Sequence, residues 1–315
     1  MFFIRLKKVP GVSEGFIVEG KLRPEQTREQ ILDILSRATD ILTLPHVVNE
    51  ILDITSGKNS SAADLTAIIE TDPALTSRIL SIANSSYYGF VKKISTISHA
   101  VVVLGFQEIQ NIALSMSVVQ LFDRRGSEFT EKLWRHSFAV GVGTRMMASY
   151  FNLKLDGKYF VGGLLHDVGK IFLSQYLPEK YRDMLLAMEE DDNRMTYHML
   201  EEEYFGISHA QVGGRLLDSW MFPQEISGAV TYHHEPSSDG SDPSFAACVH
   251  IADLLCTLKG ITPLKEHYFL SIEKKILPVL HSLKEDFSTD DMMKLIVQLD
   301  LEIDRQSSFV SAFKR

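Results

Sequence analysis

The sequence contains few cysteines and no long apolar run. Its 315 residues include two cysteines, Cys248 and Cys256, which form no CxxC pair. Two such cysteines argue against a disulfide framework and favour reduced thiols in an apolar core. No stretch approaches 18 consecutive apolar residues, and the apolar run after Met1 is too short for a signal peptide. We therefore expect a cytoplasmic protein without a membrane-spanning helix.

Basic charge is also scarce. The chain carries 32 Lys and Arg against 41 Asp and Glu, which gives a net charge of -9. The densest basic run, RLKK at 5–8, is short and terminal. A nucleic-acid-binding protein usually presents a basic face, so nucleic acid is not an expected partner. The apolar share of 45% and the charged share of 23% are ordinary for a soluble globular protein.

The apolar residues recur with helical spacing. In segment 28–41, Ile31, Leu35 and Ala38 follow an i, i+4, i+7 pattern. Asp72 is a good cap for a helix that opens with Pro73, and Pro45 suits the first position of another helix. Period-2 alternation is not sustained anywhere, apart from a short strand-like stretch in the lead-in. The sequence predicts an all-α, multi-helix bundle.

The chain is long enough for two packed helical subdomains. Charge, Gly and Ser interrupt two long apolar helices at 122–130, which favours a boundary there. The predicted division is an irregular lead-in at 1–26, an N-terminal helical subdomain at 27–124, a second helical subdomain at 125–262 and a C-terminal helical extension at 263–315.

The apolar segment 159–177 has the length of one helix and is predicted to form one. Its stretch GGLLHDVGKIFL, residues 162–173, places His166 and Asp167 side by side between apolar runs. Adjacent polar residues are costly to bury unless something binds them. Divalent metals in proteins are held by imidazole and carboxylate groups that converge from several helices. The second half offers such groups on separate predicted helices or helix ends, and they are His136, His166, Asp167, His209, His233, His234 and Asp253.

Each candidate ligand also has a purely structural interpretation. A lone histidine beside apolar residues is more often a hydrogen-bonded core residue than a ligand. His166–Asp167 could form helix-surface pairs with Lys170. His233–His234 could be the frayed end of a helix, and Asp253 could pair with His250 one turn back. Spacing alone leaves the choice open.

Several motifs together resemble a known family. The order of His136, LLHDVGK and VHIADLL resembles the HD superfamily of metal-dependent phosphohydrolases. More narrowly, the run from about 27 to 260 resembles an HDOD domain, the HD-related output domain of bacterial signalling proteins. The matching pieces are LPHVVNEIL, DPALTSRILSIANSSYYG, ISTISHAVVVLG, LLHDVGKIFL, YHHEP and VHIADLL.

The resemblance implies a function. HDOD domains are regarded as regulatory relatives of the HD-GYP phosphodiesterases, and many have lost metal ligands. We expect a bacterial signal-transduction module that acts on a signalling protein partner and retains a divalent metal site. The alternative is a two-metal phosphohydrolase or phosphodiesterase whose ligand is a cyclic dinucleotide or another phosphoester. Whether the protein forms a homodimer is left open by the sequence.

The resemblance also implies roles for individual residues. Asp167 would bridge two metals, and Lys170 would lie near a substrate phosphate, which makes these two the candidate catalytic residues. Iron or manganese is implied, and a His-rich set also tolerates zinc or nickel. One metal would take His136, His166 and Asp253, and the other would take His209, His233 and His234.

Two departures from the HD-GYP pattern argue against catalysis. The GYP element that should follow HHE is missing, and PSSDGSDPS occupies 236–244 instead. Lys132 stands four residues before His136, where some relatives have the Glu that binds a third metal. The resemblance therefore predicts a two-metal site and no third metal.

Overall fold

The computed structural model describes residues 23–36, 50–51, 61–84, 88–90, 92–122, 128–154, 157–190, 196–263 and 276–305. Within these ranges the regular structure is helical and there is no strand. This confirms the all-α prediction. None of the described helices combines the length and the apolar character that crossing a membrane requires.

The N-terminal helices begin where local signals place them. Asp72 caps the helix Pro73–Ala83 (α3) by accepting from the backbone N–H groups of Ala74 and Leu75. The first helix begins at Pro24, slightly before the predicted start near Thr27, because proline is tolerated in a first helical turn. Most of the helix predicted from Pro45 lies outside the described residues. The helices are α1 (Pro24–Ser36), α2 (Ala62–Glu70), α3 (Pro73–Ala83), α4 (Ile97–Leu104) and α5 (Phe106–Phe122).

The second half is a bundle around the long helix α6 (Glu128–Tyr150). This helix packs most extensively against α7 (Lys158–Leu165) and α13 (Pro243–Leu258), and it also contacts α15 (Thr289–Arg305). The helices are α6 (Glu128–Tyr150), α7 (Lys158–Leu165), α8 (Val168–Tyr176), α9 (Pro178–Glu190), α10 (Tyr197–Phe205), α11 (His209–Ser219), α12 (Gln224–Tyr232), α13 (Pro243–Leu258), α14 (Leu277–Leu283) and α15 (Thr289–Arg305).

The two halves touch at defined places. Helix α1 packs on α10, and α5 packs on α7. Helix α5 ends at Phe122 and α6 begins at Glu128, and both residues lie within the segment 122–130 where the sequence favours a boundary. Cys248 and Cys256 are buried free thiols on α13, as expected. The domain limits themselves stay a prediction.

One sequence-based expectation was wrong. The apolar segment from Tyr159 to Leu177 reads as one helix, but α7 ends at Leu165 and α8 begins at Val168. The His166–Asp167 pair therefore forms a corner between two helices. At this corner α8 packs closely on α11. A Cβ on Gly169 would lie only 2.0 Å from the carbonyl oxygen of His209, so residue 169 has to be glycine.

Candidate metal centre

The fold brings all seven predicted ligand residues together. His136 comes from the middle of α6 and Asp253 from α13, and His136 Nε2 lies 3.2 Å from Asp253 Oδ1. His209 opens α11, and His233–His234 follow the last residue of α12. Five elements separated by up to 117 positions in sequence thus converge on one interior point, as the metal hypothesis requires.

Asp167 occupies the middle of the cluster. Its Oδ2 lies 3.4 Å from His166 Nε2 and 3.6 Å from His136 Nε2. Its Oδ1 lies 3.2 Å from His209 Nε2. The two oxygens of one carboxylate therefore face two different groups of imidazoles, which is the arrangement that a bridging carboxylate needs.

The second group consists of three histidines whose ring nitrogens crowd together. His209 Nε2 lies 3.0 Å from His234 Nε2 and 3.4 Å from His233 Nε2. Groups of three donor atoms within 4.8 Å of one another are His209, His233 and His234; His136, His166 and Asp167; and His166, His233 and Asp253. Nitrogen lone pairs at such distances repel each other unless a proton or a cation lies between them.

Hydrogen bonds on the far side of four rings fix their orientation. A histidine whose Nδ1–H donates to an oxygen presents the lone pair of Nε2 on its other side. Three of these donors reach backbone carbonyl oxygens and the fourth reaches a carboxylate. The pairs are His136 with Ile261 at 2.7 Å, His166 with Gly163 at 2.8 Å, His233 with Val230 at 2.7 Å, and His209 with Glu201 Oε2 at 2.5 Å.

Comparison with known families shows which family the chain belongs to. The sequence model of the HDOD domain matches residues 41–236, which is more than half of the chain. The chain belongs to the HDOD family. Asp253, which lies 3.2 Å from His136 Nε2, falls beyond the matched residues and still joins the cluster of this HDOD protein.

Solved structures share the fold at low sequence identity. An HDOD domain protein of unknown function from Geobacter sulfurreducens is 23% identical, with a TM-score of 0.68 over 90% of this chain and 99% of that chain. A candidate metal-dependent phosphohydrolase from Shewanella amazonensis SB2B is 20% identical, with a TM-score of 0.57 over 88% and 98%. An uncharacterized curated protein from Treponema pallidum is 26% identical over 212 residues, which are 66% of this HDOD chain and 40% of the relative. The match therefore spans about two fifths of the length of that relative.

Burial and charge divide the histidines of the HDOD centre into two classes. Burial lowers the pKa of His166 to about 4, and burial with neighbouring imidazoles holds the pKa of His233 and His234 well below the ordinary value. Burial also opposes protonation of His136 and His209. Asp253 outweighs burial at His136, and Glu201 outweighs it at His209. The pKa of both histidines is therefore raised.

Lys170 lies in the interior of the HDOD domain and pairs with Asp167. Its Nζ donates to Asp167 Oδ2 at 2.9 Å and lies 4.7 Å from the centre of the Tyr197 ring. Burial opposes ionisation of Asp167, but His166, Lys170 and His209 outweigh it and lower the pKa. The i, i+3 pair considered from sequence therefore exists, although it is buried and not on a helix surface.

Sequence reasoning missed two residues beside the centre. Glu201 is fully buried and contacts His209, and the ring of His198 stacks on His234 at 4.2 Å. Glu201 stands in MLEEEYF, where three successive glutamates suggest a solvated face. The available signal was the spacing of Tyr197, Glu201 and Phe205, which share one buried helix face.

The position considered for a third metal holds a surface ion pair. Lys132 Nζ lies 2.7 Å from Glu128 Oε1, and both side chains are exposed. In the loop that replaces GYP, Pro236–Ser238 forms a single 3-10 turn.

Proposed function

We propose that this protein is a regulatory HDOD module that holds divalent cations at the His/Asp centre and acts through a signalling protein partner. The observation that carries the proposal is the orientation of four buried imidazoles. Each donates its Nδ1–H outward and presents Nε2 to a shared interior point, where Asp167 and Asp253 lie. Convergence of imidazole lone pairs and carboxylate oxygens on one interior point supports a bound cation.

The residues present fit divalent cations. Within the described part of the chain, the buried Nε2 atom of His166 makes no hydrogen bond. A cation placed among the Nε2 atoms would satisfy this nitrogen and remove the lone-pair repulsion between His209 and His234. The two faces of Asp167 support two ions. The mixed His/Asp chemistry suits iron or manganese, and also zinc or nickel.

The surroundings favour regulation over catalysis. Lys170, the residue that would bind a substrate phosphate, is buried and engaged by Asp167. A phosphohydrolase needs room for its substrate at the metals, and first-sphere ligands alone do not supply it.

Calorimetric titration with Mn²⁺ tests the proposal. The untagged wild-type protein, first freed of metal with a chelator, is expected to bind the ion, while His166→Ala and Asp167→Ala lose at least one binding event each. His99→Ala is the matched control, because His99 is exposed and lies outside the cluster. Wild-type protein that takes up no Mn²⁺, Fe²⁺ or Zn²⁺ contradicts the proposal. Circular dichroism of each variant confirms that the helices are intact.

A phosphohydrolase is the second candidate, and the complete set of seven ligand residues favours it. Cations held here would act as Lewis acids and lower the pKa of a bound water. Incubation with bis(p-nitrophenyl) phosphate and with cyclic dinucleotides, in the presence of Mn²⁺ or Fe²⁺, tests this function. Turnover that disappears in Asp167→Ala supports it, whereas turnover that survives has another source.

A further inference from the structure

Glu201 is a buried carboxylate with a specific set of donors. It lies on α10, and its side chain is 0% exposed. Its Oε2 accepts from the backbone N–H of His209 at 2.6 Å and from His209 Nδ1–H at 2.5 Å. Because His209 is the first residue of α11, the carboxylate also faces the positive end of that helix. One oxygen thus fixes both the backbone and the ring of a candidate ligand.

The second oxygen of Glu201 makes the carboxylate unusual. Within the described residues, Oε1 is buried and makes no hydrogen bond. Burying a carboxylate costs free energy unless donors or positive charge compensate for it. Two N–H groups on one oxygen compensate only in part. A cation on the far side of the His209 ring would supply the remaining positive charge.

The two halves of the centre differ in their negative charge. The half that contains His136 and His166 also has Asp253, with Asp167 between the halves. The other half, which we call the triple-histidine group, consists of His209, His233 and His234. Its members are all imidazoles, and Asp167 Oδ1 lies 3.2 Å from His209 Nε2. Glu201 brings a second negative charge to this half, one ring away from the donor atom.

We propose that Glu201 is a positioning residue that strengthens cation binding at the triple-histidine group. It holds His209 in the tautomer with a free Nε2, and its charge increases the electron density that the ring offers to a metal. Such outer carboxylate partners typically change metal affinity by about 10- to 100-fold. The inference rests on the proposed metal centre and assigns a distinct role to a residue outside the ligand set.

Glu201→Gln tests the role, with Glu203→Gln as the matched control. Both changes remove one negative charge from α10 and keep the size of the side chain, but Glu203 is exposed. Titration of metal-free, untagged protein with Mn²⁺ and with Zn²⁺ is expected to show one of two sites weakened at least 10-fold in Glu201→Gln. Glu203→Gln should titrate like the wild type. Asp253→Asn removes a negative charge from the half that contains His136 and His166, and it should weaken cation binding at that half.

The outcomes separate this inference from the proposed function. Wild-type protein that binds no cation overturns both. Wild-type protein that binds, with Glu201→Gln affinities within twofold of it, overturns the role of Glu201 alone. Far-UV circular dichroism and melting of the metal-free variants separate lost affinity from lost structure. If Glu201→Gln does not fold, the metal affinity of Glu201→Asp is measured instead. The shorter aspartate keeps the negative charge but moves the carboxylate oxygen away from His209 Nδ1. A weakened site then supports the role, and an unchanged one overturns it.

Discussion

At the residue scale, the feature that most needs explanation is the concentration of histidine. Seven of the eleven histidines of the chain lie in or directly beside one cluster. His198 and His250 belong to its periphery, where His250 Nδ1–H donates to the carbonyl oxygen of His233. Buried imidazoles that are packed together resist protonation, so the cluster is held largely neutral. Neutral imidazole is the form that binds a metal.

The depressed histidine pKa values predict acid-sensitive stability of the metal-free protein. His166 has a folded-state pKa of about 4 against 6.5 unfolded, so protons bind the unfolded chain preferentially as the pH falls below 6.5. His166 alone should cost about 2 kcal/mol of unfolding free energy at pH 5. His198, His233 and His234 act in the same direction. His136 and His209, whose pKa is raised, act in the opposite direction and offset part of the loss.

Urea unfolding of chelator-treated protein at pH 7.5 and pH 5 measures this effect. The unfolding free energy should fall by about 2 kcal/mol or more, and His166→Ala should show a smaller fall than the wild type. Exposed His281 offers a control, since His281→Ala should keep the wild-type pH dependence. Equal stability at both pH values would show that the cluster does not resist protonation.

At the element scale, the helix corner at His166–Asp167 places the central ligands. Helix α8 can lie against the start of α11 only because residue 169 is glycine. A Cβ at Gly169 would lie 2.0 Å from the carbonyl oxygen of His209 and 2.9 Å from the amide nitrogen of Gly213. Both are backbone atoms, which cannot rotate away. The corner and the first residue of α11 are therefore fixed to each other.

Gly169→Ala is expected to lower the unfolding free energy by about 3 kcal/mol or more, because the added methyl group must displace a helix. Gly240→Ala is the control, since no heavy atom lies within 4 Å of a Cβ at that position. That change should alter the stability by less than about 0.5 kcal/mol. Chemical denaturation of both variants measures the difference. A Gly169→Ala protein as stable as the wild type would contradict the packing at the corner.

Local signals predicted the elements that depend on local chemistry. The cap and first proline at Asp72–Pro73 were predictable, because the interactions involve residues two or three positions apart. The corner at His166–Asp167 was not, because the contact between Gly169 and His209 joins segments 40 positions apart. The burial of Glu201 was missed because a run of three glutamates suggests an exposed helix face, and its two neighbours Glu202 and Glu203 do face solvent. The ligand set itself followed from the family resemblance, since spacing alone left each histidine ambiguous.

At the scale of the whole molecule, the centre joins distant parts of the chain. Helix α6 supplies His136, and α13 supplies Asp253. A cation that binds these groups and the triple-histidine group stabilises the folded protein, because the unfolded chain does not assemble the site. Helix α1 packs on α10, the helix that bears Glu201, so the N-terminal half contacts the periphery of the centre.

Removal of metal should therefore lower the melting temperature. At a free-ion concentration of about 100 times the Kd, binding contributes about 2.7 kcal/mol, which corresponds to a shift of about 4 °C for a chain of this size. Differential scanning calorimetry with and without a chelator measures the shift. Asp167→Ala provides the control, since its melting temperature should respond less to the chelator than that of the wild type. An unchanged wild-type melting temperature would contradict this coupling.

Elemental analysis of the untagged protein, purified without added metal or chelator, tests the central claim most directly. Inductively coupled plasma mass spectrometry against the protein concentration gives the number of ions per chain. The two-faced Asp167 and the two ligand groups predict close to two divalent ions per chain, with iron or manganese prominent. Well below one ion per chain would contradict the account and leave the histidine cluster as a structural core.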